Sequence, residues 1–343
     1  TNLKFSHDLT SKPFLVRNHD TGNAELIVQD TLNTIFLVGS NGKVDWRLSL
    51  DEKIADGIHQ VDYYKNGKLQ YFFITKSKIH IVDRLGRYIT GFPRQLPSNN
   101  LMYSTIVDYN KNKNYRFLIS DSERKIYILD KEGNLLEGWN PKQLKRNLFA
   151  PARHYRILGR DYFIGVQDDG LVYLTNRRGE SMRGFPLNLK VRPSSDYFFT
   201  GGRNPESSLF TIVSTEGEIV QFNLLGKIVK REALLKSNAN SRFYLVVSEN
   251  RKSNAFVRID NNKIAAFDSN GKLLFEKENP GSKMLEARLF DFDSEKRILS
   301  FTDATQNFSY LLDEGGNTVL STPLGTSNTP ALNYNQRTGE LSI

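Results

Sequence analysis

Residues 125–139 read KIYILDKEGNLLEGW: the β-rich run Lys125-Ile126-Tyr127-Ile128-Leu129 is followed by Asp130-Lys131-Glu132-Gly133 and by a second apolar run ending on Trp139. An aspartate can bond the backbone amides of such a turn, and glycine accepts the positive φ that a tight hairpin demands. The segment therefore specifies two antiparallel strands joined by a tight turn. The pattern recurs as TIFLVGSNGKVDW around Gly42, KIHIVDRLGRYITGF around Gly86, LVYLTNRRGESMRGF around Gly179, EIVQFNLLGKIVK around Gly226, KIAAFDSNGKLLFE around Gly271 and FSYLLDEGGNTVL around Gly316. Successive glycines stand 44, 47, 46, 47, 45 and 45 residues apart, room for about four short strands and their turns per copy.

Each copy has the material for those strands. Glu25-Leu26-Ile27-Val28, Tyr71-Phe72-Phe73-Ile74 and Phe256-Val257-Arg258-Ile259 supply a strand before the hairpin, and Phe14-Leu15-Val16, Tyr197-Phe198-Phe199 and Tyr244-Leu245-Val246-Val247 supply one before that. Amphipathic helical periodicity is lacking. The expected fold is all-β, a β-propeller of four-stranded antiparallel blades forming a single domain over 1–343. Its repeat units span about 13–50, 51–96, 97–144, 145–189, 190–234, 235–279 and 280–324. The leftover ends look like blade material too. Phe5–Leu9 resembles a last strand, while Pro330–Tyr334 and Glu340–Ile343 resemble a first and second strand around the turn Asn335–Gly339. Joining 1–12 to 325–343 as a closing blade would remove exposed sheet edges, so the expectation is eight blades, with seven as the alternative.

Composition narrows the function classes. With 22 Phe, 15 Tyr and 38% hydrophobic residues the chain has ample core material, and without cysteine it can make neither disulfides nor thiolate metal sites. No run of 18 apolar residues is present. Opening on Thr1 without a basic and apolar leader, the chain reads as a fragment or mature part of a larger protein. The net charge of +9 favours acidic partners, and it is concentrated: residues 141–195 carry 11 Lys/Arg against 4 Asp/Glu.

The repeat resembles that of the quinoprotein-like (PQQ-like) β-propeller family, in which a strand ends in Asp, a Gly turn follows, and a Trp packs four residues after the glycine. Gly42 with Trp46 and Gly271 with Phe275 match best; Phe92, Trp139 and Phe185 sit six residues after their glycines. A shift of two keeps the strand face, so these rings are also expected to pack between blades. The Gly-Phe-Pro sequences look like propeller proteins of Bacteroidota. Within the family, the dehydrogenases that hold pyrroloquinoline quinone and Ca²⁺ carry a vicinal disulfide and several Trp. The absence of Cys and the presence of Trp46 and Trp139 alone fit better with the cofactor-free propeller lipoprotein of the outer-membrane β-barrel assembly machinery.

Candidate sites are few. Asp108, Asn110 and Asn112 place oxygens at alternate positions as in Ca²⁺ loops, and Asp291, Asp293 and Glu295 repeat the idea, though a polar hairpin turn explains both as well. The histidines His7, His19, His59, His80 and His154 do not stand at ligand spacing within one element. No nucleophile elbow, phosphate-binding loop, metalloprotease motif or dinucleotide fingerprint occurs. Lys142, Lys145, Arg146, Arg177, Arg178 and Arg183 fall in expected turns and are the candidate basic patch for a protein partner; nucleic acid is a poorer fit. These features point to a non-enzymatic protein-interaction scaffold without cofactor, extracytoplasmic in a cell-envelope complex of the periplasm or outer membrane. The alternative is a divergent enzyme or a sugar- or metal-binding propeller with its site at the central channel mouth.

Overall fold

The computed structural model describes residues 3–98, 100–139, 142–279, 281–282, 284–292 and 296–343. These form seven four-stranded antiparallel sheets, each a simple meander in chain order, and one two-stranded hairpin. The sheets are the blades of a β-propeller and lie at 14–49, 59–95, 101–143, 153–188, 198–233, 242–278 and 286–325. No helix occurs among the described residues. The chain forms two compact units, residues 1–165 with 175–181 and residues 166–174 with 182–343. The first contains blades one to three, and the second contains blades five to seven and the hairpin.

The expectation of eight blades is corrected to seven. Among the described residues, the C-terminal strands Asn333–Asn335 and Glu340–Ser342 pair only with each other. They lie against blade seven, where Leu332 and Leu341 join the apolar cluster of Phe290, Ile298 and Leu311, and Tyr334 packs on Phe292 at 5.6 Å between centroids. The N-terminal segment that was to complete an eighth blade is engaged on blade one. Leu9 bridges Asp30, Thr10 N donates to Gln29 O at 2.8 Å, Thr31 N donates to Asp8 O at 2.9 Å, and Phe5 meets Phe36 edge to face at 5.1 Å. Backbone groups already bonded there cannot also pair with a distant strand.

Each core layer lies between consecutive blades, because alternate residues of the middle strands point to opposite sheet faces. One layer joins Phe72, Ile79 and Ile81 of blade two to Phe117, Ile119 and Tyr127 of blade three, with Phe72 stacked on Phe117 at 4.2 Å. In the second unit, Val257, Ile259 and Ala266 of blade six meet Leu289, Leu299 and Phe301 of blade seven in the same way. The middle strands are buried on both faces, as in Gln70–Ile74 and Asn254–Ile259.

The repeat glycine is the registration point. Trp46 lies against Gly86 of the next blade, where a Cβ would come within 2.7 Å of the ring, and its Nε1 donates to Arg84 O at 2.7 Å. Trp139 meets Gly179, and Phe275 meets Gly316, in the same manner. Phe92 and Trp139, six residues after their glycines, reach this place by another route. Phe92, Trp139 and Phe185 each donate a backbone amide three residues back, to Ile89 O, Leu136 O and Met182 O, so they sit in a turn and not on a continuing strand. Their blades resume with fourth strands of two residues, such as Arg94–Gln95, whereas blades one and six keep bulged fourth strands of six residues, Val44–Ser49 and Leu273–Glu278.

A second repeated device was not visible in the sequence. Asp30, Asp121, Asp260 and Asp303 close the second strands of their blades and are almost fully buried. Asp30 Oδ1 accepts from the amides of Leu32 and Thr34, Asp121 Oδ1 from Lys125 N, and Asp303 Oδ1 from Thr305 N, Thr305 Oγ1 and Gln306 N. Burial alone would raise the pKa of Asp303, but these bonds and those from Ser282 outweigh it and hold the carboxyl below the usual range.

The ring-on-glycine contact makes a matched prediction. Gly86→Ala places a methyl group in the Trp46 ring at a φ of +77°, whereas Gly67→Ala at φ +82° meets nothing within 4 Å. The first is expected to cost roughly 3 kcal/mol from left-handed strain plus overpacking, the second only about 1 kcal/mol from strain alone. Urea denaturation of both variants measures the difference; equal losses would remove the ring from the explanation.

Candidate functional site

Arg177 gathers the site. It stands in the hairpin turn of blade four, where the turn's own bonds are supplied by Asn176, whose Oδ1 accepts from Arg178 N at 2.8 Å and Glu180 N at 3.1 Å. Arg177 Nε donates to Asp161 Oδ2 at 2.5 Å, and its guanidinium lies 4.3 Å from the centroid of the Tyr109 ring. Both contacts fix a long side chain that would otherwise be free to rotate, with the planar cation held over an aromatic face.

Asp161 is the buried centre, its side chain 5% exposed. Its Oδ1 accepts from His154 Nε2 at 2.7 Å, across the paired first and second strands of blade four, and Arg156 Nη1 lies 3.6 Å away. Burial pushes the His154 imidazole below its ordinary pKa, and the bond to Asp161 opposes that only in part. His154 also meets the Tyr109 ring edge to face at 5.1 Å. Burial raises the Tyr109 phenol to about 12, and its Oη is buried with no hydrogen-bond partner.

Opposite Arg177 runs the hairpin between the first two strands of blade three, Leu101–Val107 and Arg116–Asp121. Asp108 turns its carboxylate into this loop and accepts from Asn112 N at 3.1 Å and Lys113 N at 2.8 Å. Asn112 Oδ1 accepts from Asn114 N at 3.1 Å, and Asn110 Oδ1 from Arg156 Nη1 at 3.2 Å. The alternating oxygens read from the sequence therefore face protein N–H groups. Asp291, its side chain 4% exposed, has Arg297 Nε 3.4 Å away, and Asp293 and Glu295 lie outside the described residues. Among the described residues no three His, Cys, Asp or Glu side chains converge in a metal-sized group.

Between loop and turn lies a cavity of about 280 Å³, walled by Tyr109 and Leu136 and lined by Asn110, Asn112, Asn114, Arg116 and Arg177. It joins two sets of residues that the sequence listed separately, the oxygen-bearing loop and one member of the basic patch. Of the rest of the patch, Arg178 follows Arg177 in the same turn, and the members in blade three are placed apart. Lys142 pairs with Ile126 at the start of the third strand of blade three, and Arg124 Nη1 donates to Lys145 O at 3.1 Å, whereas Arg177 stands near the other end of that sheet, beside Tyr109. Lys145, Arg146, Arg178 and Arg183 are exposed. Arg116 was missed, while Asn114 ends the run of alternating oxygens that the sequence shows from Asp108; only its closeness to that loop could have flagged Arg116.

A larger cavity of about 390 Å³ in the second unit lies along the first strands of blades six and seven, Arg242–Val247 and Glu286–Asp291. Its carboxylates are paired within the protein, Glu286 with Arg288 at 2.6 Å and Asp196 with Arg251 at 2.6 Å.

The remaining histidines have structural surroundings. His59 opens the first strand of blade two beside Phe72, with Ser104 Oγ 3.5 Å from Nε2. His80 is stacked on Phe73 at 4.8 Å and bonded to Thr75 Oγ1 at 3.1 Å and Tyr88 Oη at 2.9 Å, and burial pushes its pKa down to about 4.

The sequence matches no family model and no curated protein. The fold is similar to those of several solved structures. BBS1N in complex with ARL6DN aligns with a TM-score of 0.55 at 11% identity, covering 90% of each chain. BamB from Moraxella catarrhalis aligns at 0.57 and 13%, covering 94% of this chain and 90% of that one. Dihydro-heme d1 dehydrogenase NirN in complex with DHE aligns at 0.58 and 11%, covering 94% and 67%. At such identities the likeness establishes the β-propeller fold and leaves function to the residues.

His80 gives the pH prediction for this region. With the folded-state pKa about 4 against 6.5 unfolded, the unfolded chain gains the proton first, so stability is full above pH 6.5 and falls as pH drops toward 4. His80→Gln is expected to flatten that loss by about 3 kcal/mol. Urea titrations at pH 7 and pH 4 measure it; an unchanged difference between the two pH values would show that His80 titrates normally.

Proposed function

We propose that this chain is a protein-interaction scaffold that presents basic turns of blades three and four to an acidic protein partner. The carrying observation is the separation of charge in residues 142–192. Lys145, Arg178 and Arg183 stand exposed on turns, while the buried carboxylate of Asp161 is turned inward to His154 and Arg177. Exposed cations on rigid turns attract an acidic surface over about a Debye length and orient it before contact. The similarity to BBS1N, solved in complex with ARL6DN, supports a propeller of this size serving as a binding partner.

The reading includes a cell-envelope setting outside the cytoplasm and membership of the quinoprotein-like group. Support comes from the repeat itself, in which the Trp after the glycine packs against the next blade's turn, and from the likeness to BamB.

Affinity purification of the chain from its native cells, under conditions that keep envelope assemblies intact, is expected to recover a protein partner whose retention falls as salt is raised from 50 to 500 mM. Arg178→Glu should lower that recovery several-fold without changing the melting temperature. Recovery of the chain alone, or of a partner indifferent to salt and to Arg178→Glu, would overturn the reading.

A further inference from the structure

The cavity between the Asp108 loop and the Arg177 turn is distinctive in which polar groups it leaves unengaged. Each of its three asparagines has its carboxamide oxygen occupied from within the protein. Asn110 Oδ1 accepts from Arg156 Nη1 at 3.2 Å, Asn112 Oδ1 from Asn114 N at 3.1 Å, and Asn114 Oδ1 from Lys65 Nζ at 2.5 Å. With the oxygen taken, each side chain has its NH₂ group left to offer. Arg116 is anchored by Nη1 to Tyr115 O at 2.9 Å, and its Nε is buried without a partner. Arg177 uses Nε for Asp161 and keeps its terminal nitrogens beside the cavity. The Tyr109 hydroxyl, which can also donate, is buried without a partner. Arg116 Nε and Tyr109 Oη are sealed within the walls, so the donors the cavity has to offer an acceptor from outside are the three carboxamide NH₂ groups and Arg177.

The charge and shape of the donors select that acceptor. Arg116 and Arg177 line the cavity and Lys65 Nζ bonds to Asn114 at its edge, while the carboxylates of Asp161 and Asp108 are spent on His154, Arg177 and the loop amides. The cavity is therefore positive and favours an anion. A carboxylate, whose four lone-pair sites match a planar fork of guanidinium and amide donors, fits that set.

We infer that this cavity is a carboxylate-binding pocket that takes an Asp or Glu side chain of the protein partner. The inference rests on the interaction reading above and adds to it the atoms that recognise the partner. Prior stacking of Arg177 on Tyr109 means that little side-chain order has to be created on binding.

The test uses the full chain and a fluorescein-labelled hexaglutamate peptide followed by fluorescence anisotropy, with acetate and inorganic phosphate as competitors. Saturable binding is expected, displaced by acetate at lower concentration than by phosphate. Asn112→Asp is the decisive variant, because the carboxylate still accepts from Asn114 N while the NH₂ donor is replaced by a negative charge. It should weaken the peptide at least tenfold with an unchanged melting temperature, as should Arg116→Gln. Lys142→Gln, at the other end of blade three, should leave the affinity unchanged. Full affinity in Asn112→Asp, better displacement by phosphate, or an equal loss in Lys142→Gln would each overturn the pocket. If Asn112→Asp abolishes peptide binding while the native partner is still recovered at full yield, the pocket is not where that partner docks, and the scaffold reading stands without it. If no native partner is recovered while the peptide binds as expected, the scaffold reading falls and the carboxylate pocket stands.

Discussion

An aromatic ring from one blade and the glycine turn of the next occupy adjoining volumes, and most of the architecture follows from that contact. The turn needs a residue at positive φ, which glycine adopts without strain, and the ring needs a surface with no side chain on it. Gly86 meets both demands toward Trp46, and Gly316 does so toward Phe275. Because the contact links consecutive copies, it sets the spacing of neighbouring sheets and brings their middle strands face to face. The apolar layers that hold Phe72 against Phe117, or Val257 against Leu289, are then filled at close-packed density.

The repeat was legible because its physical requirements are local. A turn that needs Gly at a fixed position, with Asp or Asn three residues before it in all copies but the first, leaves a recurrent mark, and seven copies at spacings of 44 to 47 residues cannot hide. The blade count was less legible, since a strand-like pattern does not say with whom it pairs. Phe5–Leu9 has the alternation of a strand, but its partners are Asp30, Thr31 and Phe36 of blade one. The aromatic offset was also only half legible. Counting in twos keeps Phe92 and Trp139 on a strand face, whereas the chain turns at Ile89 and Leu136 and delivers the ring from outside the strand. Burial of Asp121 or Asp303 could not be read either, because it is the folded geometry of the hairpin that turns amides two to four residues on toward these carboxylates.

At the cavity, the sequence displayed the loop and concealed its polarity. Asp108, Asn110 and Asn112 are oxygen-bearing residues at alternate positions, and that alone suggests a cation. Which atom of an asparagine faces the cavity is decided by residues 46 and 49 positions away, Arg156 and Lys65, which claim the oxygens of Asn110 and Asn114. The loop thus changes sign in its setting, from a set of acceptors to a set of donors. The basic patch is redistributed for a related reason: Lys142 belongs to the last strand of blade three and Arg177 to a turn of blade four that lies beside Tyr109, at the other end of blade three.

Where a ring meets the glycine of the following copy, as Trp46, Trp139 and Phe275 do, the contact refers only to the neighbouring copy and not to how many copies there are. Removing one whole repeat in register would return such a ring to another glycine turn and leave the repeat motif intact. Duplication and loss of whole blades are therefore permitted by the repeat, and copy number has to be fixed at the termini, where the Phe5–Leu9 strap and the Asn333–Ser342 hairpin each lie on a terminal blade and nowhere follow the repeat. Those two short segments are where a lineage of such proteins would record its blade number, while the repeat itself would keep only the history of its own copying.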